Sequence, residues 1–184
     1  MKRTLLLKLI ACYLLVAISM FTLLNTYGVN RLKMSLVTRQ KTILHNEAST
    51  IASEYMENYY HGSSEEVTQN VLTQLKSIDT FLNTRIWIVN KNGVITMDTR
   101  SSYIMNSQIN LNDLDPTFLG KTFSDHTYFS GILSEPMLSV VYPISFKYEI
   151  RGYIVMLTSL SSIRDNSVYF MDIINICFLI FLIL

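Results

Sequence analysis

Residues Arg85 to Thr99 read Arg-Ile-Trp-Ile-Val-Asn-Lys-Asn-Gly-Val-Ile-Thr-Met-Asp-Thr. Two β-rich runs flank Asn92-Gly93, the dipeptide best able to take up the positive φ angles of a tight hairpin turn. Side chains alternate along a strand, so Ile86 and Ile88 face one side while Trp87 and Val89 face the other. Both sides are apolar. A strand of that kind needs cover on both faces, which rules out a sheet lying open on a surface. The chain before this hairpin reads as helix, and the chain after it as further strands.

The remaining apolar residues gather at the two ends. Mean hydropathy is +0.28, high for a soluble protein, and the excess lies in Leu5 to Leu24 and in Met171 to Leu184. The first run crosses a hydrocarbon core of roughly 30 Å at about 1.5 Å per residue. An uncleaved anchor is expected rather than a signal peptide, because no small-x-small cleavage site follows it. Lys2, Arg3 and Lys8 favour a cytoplasmic N-terminus. Arg31 and Lys33 sit on the other flank, and a long intervening domain translocates largely regardless of charge. The second run is broken only by Asp172 and Asn175. Its fourteen residues make about 21 Å of helix, so it reads as a truncated second span whose natural product continues into the cytoplasm. The alternative is a complete protein with an interfacial tail.

Between the ends the charge is nearly balanced, with twelve Lys or Arg against thirteen Asp or Glu from Gly28 to Val168. That balance gives no basic face for nucleic acid. Cys12 and Cys177 both lie in the apolar ends, which excludes a disulfide-stapled scaffold. No His or acid stands at metal-ligand spacing from either thiol. His45, His61 and His126 are far apart, and Asp125-His126 is a lone pair, so no metal or other cofactor is expected. No Ser or Cys is set with a base and an orienting acid, so these residues specify no catalytic group.

From Val29 to about Tyr60 there is no Pro or Gly, and Leu32, Leu36, Ile43, Leu44, Ala48, Ile51, Tyr55 and Tyr59 recur near helical spacing. Such a helix is about 48 Å long, more than a core of this size requires. Its membrane-proximal half either pairs with a second copy in a parallel homodimer or lies as a plain surface helix. His61-Gly62 ends it, Ser63 to Glu66 matches a capping box, and Val67, Val71, Leu75, Ile78 and Leu82 form the apolar face of a second helix. Arg100 to Thr127 loses periodicity and reads as a loop with short helices laid over one sheet face. Tyr128 to Leu133, Met137 to Phe146 and Ile150 to Leu160 are strand candidates. With the hairpin they make five strands in a meander-like antiparallel order. Ser161 then opens a helix into the last apolar run. Asp98 is expected to cap the backbone N–H groups of Thr99 to Ser101 where the chain leaves the sheet.

The combination of transmembrane segment, long helix, Trp87-Ile88-Val89-Asn90 with Gly93-Val94-Ile95 and Asp98, Phe129-Ser130-Gly131, Glu135 to Val140, Pro143-Ile144, Gly152 to Val155 and a second span resembles the single Cache (PAS-like) extracellular sensor domains of bacterial sensor histidine kinases, Gram-positive ones above all. The resemblance implies an α+β fold: a five-stranded antiparallel sheet with a long N-terminal helix on one face and a loop-covered pocket on the other, flanked by two transmembrane helices, the second truncated. It divides the chain into a cytoplasmic tail (1–4), a first transmembrane helix (5–27), an extracellular sensor domain (28–168) and the start of a second span (169–184). It implies a sensory input module in the plasma membrane, reporting ligand or envelope state to a cytoplasmic kinase, and through it to a response regulator, in domains absent here. The same module on a chemoreceptor or diguanylate cyclase, and a stand-alone membrane-anchored envelope interaction protein, are the alternatives. On the expected pocket side the polar residues bordering the loops are Arg100, His126, Tyr128 and Tyr142. An Arg there would grip a carboxylate bidentately and Tyr or His would orient it. In the competing structural reading Arg100 pairs with a loop acid such as Asp113, and the tyrosines are wet core edges.

Overall fold

The apolar opening run is helix in the computed structural model, which describes residues 2–61, 65–101, 104–110, 123–127, 129 and 131–183. Side chains are described for these except at 2–3, 55–61, 65–67, 123–127, 166, 181 and 183. Helix α1 (Lys2–Leu23) passes through a π turn (Leu24–Gly28) into α2 (Val29–His61), and α3 spans Glu65–Leu82. The strands are β1 (Arg85–Asn90), β2 (Ile95–Asp98), β3 (Phe123–Thr127), β4 (Met137–Phe146) and β5 (Glu149–Ser159), and α4 (Leu160–Ile183) follows β5 without a linker. The chain forms two compact units, residues 1–38 with 161–184, and residues 39–160.

In the first unit the helices present apolar side chains outward. Leu5, Leu7 and Leu15 of α1 are about 70% exposed, and Ile176, Leu179 and Ile180 of α4 are more than half exposed. So much exposed aliphatic surface requires an apolar surrounding or a partner. Among the described residues one helix, Thr4–Glu54, is long and apolar enough to cross a membrane.

The second unit is built on an antiparallel sheet of order β2-β1-β5-β4-β3. Its described side chains belong to the four strands β2, β1, β5 and β4. The order departs from the expected meander, because the last strand lies at the centre, paired with β1 on one side and β4 on the other. The cause is burial: Gly152 to Thr158 of β5 are all buried, as are Ile86 to Val89 of β1, and strands apolar on both faces belong in the middle. Register puts Trp87, Val89, Tyr153, Val155, Leu157, Met137 and Val141 on one face, and Ile86, Ile88, Ile154, Met156, Leu138, Val140 and Tyr142 on the other.

The second face is the helix side. Leu44, Ala48, Ile51 and Ala52 of α2 are buried, as are Val71 and Leu75 of α3, which packs against β1. The expected capping box at Ser63–Glu66 lies outside the described residues.

The hairpin forms where expected with a different turn. Gly93 has φ +83°, whereas Asn92 does not take a positive φ, so the loop is not the two-residue form in which both central residues do. Asn90 Oδ1 instead accepts the backbone N–H of Asn92 and Val94, an Asx-type closure, and a bulge between Ile88 and Val89 absorbs the extra residue. Two further strand expectations are corrected. Where a strand is expected at Tyr128 to Leu133, the described residues Phe129 and Gly131 take left-handed backbone (φ +42° and +84°) and Ile132 N–H donates to Phe129 C=O, which is a turn; Tyr128 and Ser130 lie outside the described residues. The neighbouring strand is β3, inside the stretch read as covering loop.

Candidate functional site

The face opposite the helices is covered by chain that leaves β2. Ile95 N–H donates to Ser107 C=O, Asn106 N–H to Ile95 C=O and Ile109 N–H to Gly93 C=O, so residues 106–109 run along the outer edge of β2. Ile109, Phe129 and Leu133 close over Trp87, Val89, Ile95, Met137, Val141, Tyr153, Val155 and Leu157 in one buried cluster. At its centre Phe129 packs edge-on against Trp87, ring centroids 5.5 Å apart at 62°. A bulky residue with positive φ stores about 1–3 kcal/mol of backbone strain, so packing on Trp87 holds Phe129 there against its own preference.

Two polar features stand out in this apolar cluster. The first is the Trp87 indole. It is fully buried, and Nε1 has no hydrogen-bond partner among the described residues. A buried N–H without an acceptor is costly unless something else occupies that position. The second is Arg85, two residues earlier on the same face, with its guanidinium 5.3 Å from the Trp87 ring centroid. Arg85 Nε and Nη2 donate to the two oxygens of Asp98 at 3.0 and 2.6 Å. The Asp98 side chain is wholly buried and also accepts the Arg100 backbone N–H at 3.0 Å. Part of its expected capping role is therefore present, beside an ion pair that the sequence reading missed.

The four candidate residues fall in different places. Arg100 is held on the helix side. Its Nε and Nη2 donate to Asp79 of α3, at 2.7 Å in the shortest contact, and Nη2 also donates to Asn83. Asp79 further accepts the Thr99 hydroxyl, whose oxygen in turn accepts the Ile86 N–H. The partner of Arg100 is thus a helix acid, and this network ties the sheet exit to α3. Tyr142 also faces the helices, a correction of its expected place by the pleat of β4: its hydroxyl meets Ser49 at 3.1 Å and its ring lies edge-on to His45. His126 sits in the β3 backbone at a bulge between Asp125 and Thr127, and its side chain lies outside the described residues, as does Tyr128. Arg100→Ala is expected to cost about 1–2 kcal/mol in a urea titration, because Asp79 keeps Thr99 and the guanidinium is 40% exposed and screened.

Among the described residues no group of three or more His, Cys, Asp or Glu is placed to hold a metal. This face is a packed aromatic and aliphatic cluster, with one indole N–H that has no partner among the described residues and an ion pair beside it.

No family model matches the chain, and no curated protein sequence matches it. Solved structures do match in fold. The sensor domain of the Vibrio cholerae histidine kinase DctB superposes with a TM-score of 0.55 at 12% identity, over 82% of this chain and 58% of that one. The ligand-binding domain of the Campylobacter jejuni chemoreceptor Tlp3 in complex with L-valine gives 0.55 at 14% identity, over 81% and 65%. The same Tlp3 domain in complex with 4-methylisoleucine gives 0.56 at 15%, over 77% and 60%. The chain spans about three fifths of the length of these structures. The likeness is one of fold: an α+β domain with a long N-terminal helix and an antiparallel sheet, as in Cache-like sensor domains.

Proposed function

We propose that this chain is the extracytoplasmic input module of a membrane-bound sensor histidine kinase, binding a small molecule on the loop-covered face of its sheet. In this reading α1 anchors the module, α4 begins a second span, and output lies in cytoplasmic domains beyond it. The carrying observation is the buried Trp87 Nε1 on the covered face, without a hydrogen-bond partner among the described residues. The fold supports the reading, since it is that of a kinase sensor domain and of a chemoreceptor domain crystallised with amino acids. The Tlp3 likeness equally favours a chemoreceptor as the parent, because both outputs use the same input architecture. Aliphatic amino acids and short carboxylic acids are the ligands we propose first: their apolar bodies suit the aromatic and aliphatic residues of this face and their oxygens would accept from the indole.

A thermal-shift screen of the full chain in detergent tests this. A ligand at one hundred times its Kd adds about 2.7 kcal/mol, worth roughly 5–10 °C for a domain of this size. Trp87→Phe keeps an aromatic ring, though a smaller one, and removes the donor, so it is expected to lose most of that shift. A panel of acids and amino acids that leaves Tm unmoved would count against small-molecule sensing and for sensing of an envelope partner.

A further inference from the structure

Around the π turn at Leu24–Gly28 the polar side chains of the first apolar helix fold back on their own backbone. Thr22 donates to the carbonyls of Ile18 and Ser19, Thr26 to that of Thr22, and Asn30 to that of Thr26. Asn25 behaves differently. Its Nδ2 reaches the Phe21 carbonyl at 3.0 Å and also donates to Asn175 Oδ1 of α4 at 3.1 Å, while Asn175 Nδ2 donates back to Asn25 Oδ1 at 3.0 Å. The two amides form a closed reciprocal pair between the π turn and α4. One turn before it Phe21 meets Phe178, ring centroids 5.7 Å apart, and at the end of the π turn Gly28 brings the backbone close to Met171.

We infer that the Asn25–Asn175 pair holds the π turn open and so sets the rotational register of α1, making the turn a two-state element that α4 controls. The inference rests on the proposed reading of α1 and α4 as membrane helices. A π turn carries one residue more than an α turn, so its return to regular helix moves everything before it by one position, about 100° of rotation and 1.5 Å of rise. Asn25 lies inside the turn, and its bonds to Asn175 keep that extra residue turned toward α4. Without Asn175, Asn25 Nδ2 keeps the Phe21 carbonyl but Oδ1 loses its donor, and in an apolar surrounding that loss removes what holds the turn open and favours the closed form. The Phe21 ring then leaves Phe178, while Gly28 stays against Met171. Because β5 enters α4 directly, displacement of the strand end reaches Asn175 through continuous chain. Differential bonding of Asn25 in the two states provides the free-energy difference that a switch needs.

The test is disulfide mapping on the full chain in phospholipid vesicles, with Cys12→Ser and Cys177→Ser, a fixed Phe178→Cys, and one further cysteine moved through positions 18–24. With Asn175 intact the maximum is expected at position 21. With Asn175→Leu it is expected one position away, and with Asn175→Gln, which keeps an amide, at position 21 again. A maximum that stays at 21 in Asn175→Leu, or yields that fall evenly at every position, overturns the proposal, since the pair would then be adhesive only. Flotation of the same samples separates the two readings: chain that does not rise with the vesicles contradicts the membrane assignment itself.

Discussion

Asp98→Ala is expected to lower the stability of the sheet unit by about 3–5 kcal/mol, a large part of the 5–15 kcal/mol typical of a domain. The Asp98 carboxylate is fully buried and takes three donors, two from Arg85 and one from the Arg100 backbone. Truncating it leaves the Arg85 guanidinium, only 17% exposed, without its counter-charge against the face of Trp87. The attraction within such a pair does little more than offset the cost of drying both charges, so the loss comes mainly from the orphaned partner. The double variant Arg85→Met with Asp98→Leu removes both charges at similar volume and should recover most of the stability. Trp87, the only tryptophan in the chain, lies beside the pair, so its fluorescence follows urea unfolding at the site itself. The midpoint should fall in the single variant with an unchanged slope. A loss under about 1 kcal/mol would mean that the pair behaves as a solvated surface contact.

Much of this arrangement was legible in the residues, and the part that was not has identifiable causes. The hairpin and its double cover follow from four consecutive apolar residues with alternating directions, and burial of Ile86 to Val89 accords with that. Arg85 and Asp98 were equally open to that reasoning, since closing a hairpin at Gly93 sets Asp98 opposite Trp87 and diagonal to Arg85. Tyr142 was expected on the pocket side and faces the helices, because β4 is apolar on both sides and alternation alone does not say which side the helices take. The partner of Arg100 lay twenty-one residues back on another element, a distance no local pattern encodes. Gly131 did carry a turn signal inside the expected strand at Tyr128 to Leu133, and its φ of +84° is where that reading failed. The π turn left no trace in the hydropathy of the first helix, since a register change of one residue hardly alters a uniformly apolar run.

Gly152→Ala is expected to destabilise the same unit by about 3 kcal/mol, against a gain of about 0.4–1 kcal/mol for a glycine replaced where the backbone has room. The opposing signs make this substitution decisive. Gly152 pairs with Asn90 of β1 and with Ile144 of β4, beside a bulge between Ile144 and Ser145. A Cβ added there would overlap the Val89 carbonyl oxygen, a backbone atom that cannot rotate away. Glycine in this strand therefore marks a close backbone approach between the central strand β5 and its neighbour β1. Prising them apart displaces Asn90, whose side chain closes the hairpin turn, and through Gly93 and Ile95 it reaches the segment from Asn106 to Ile109 that covers Trp87. The damage should therefore be directional. Amide hydrogen exchange in Gly152→Ala should rise at residues 90–95 and 106–109 while Met137 to Val141, bonded to the far end of β5, keep their protection. Uniformly faster exchange would mean that the sheet opens as a whole, and an unchanged midpoint would mean that β1 and β5 have slack at this position.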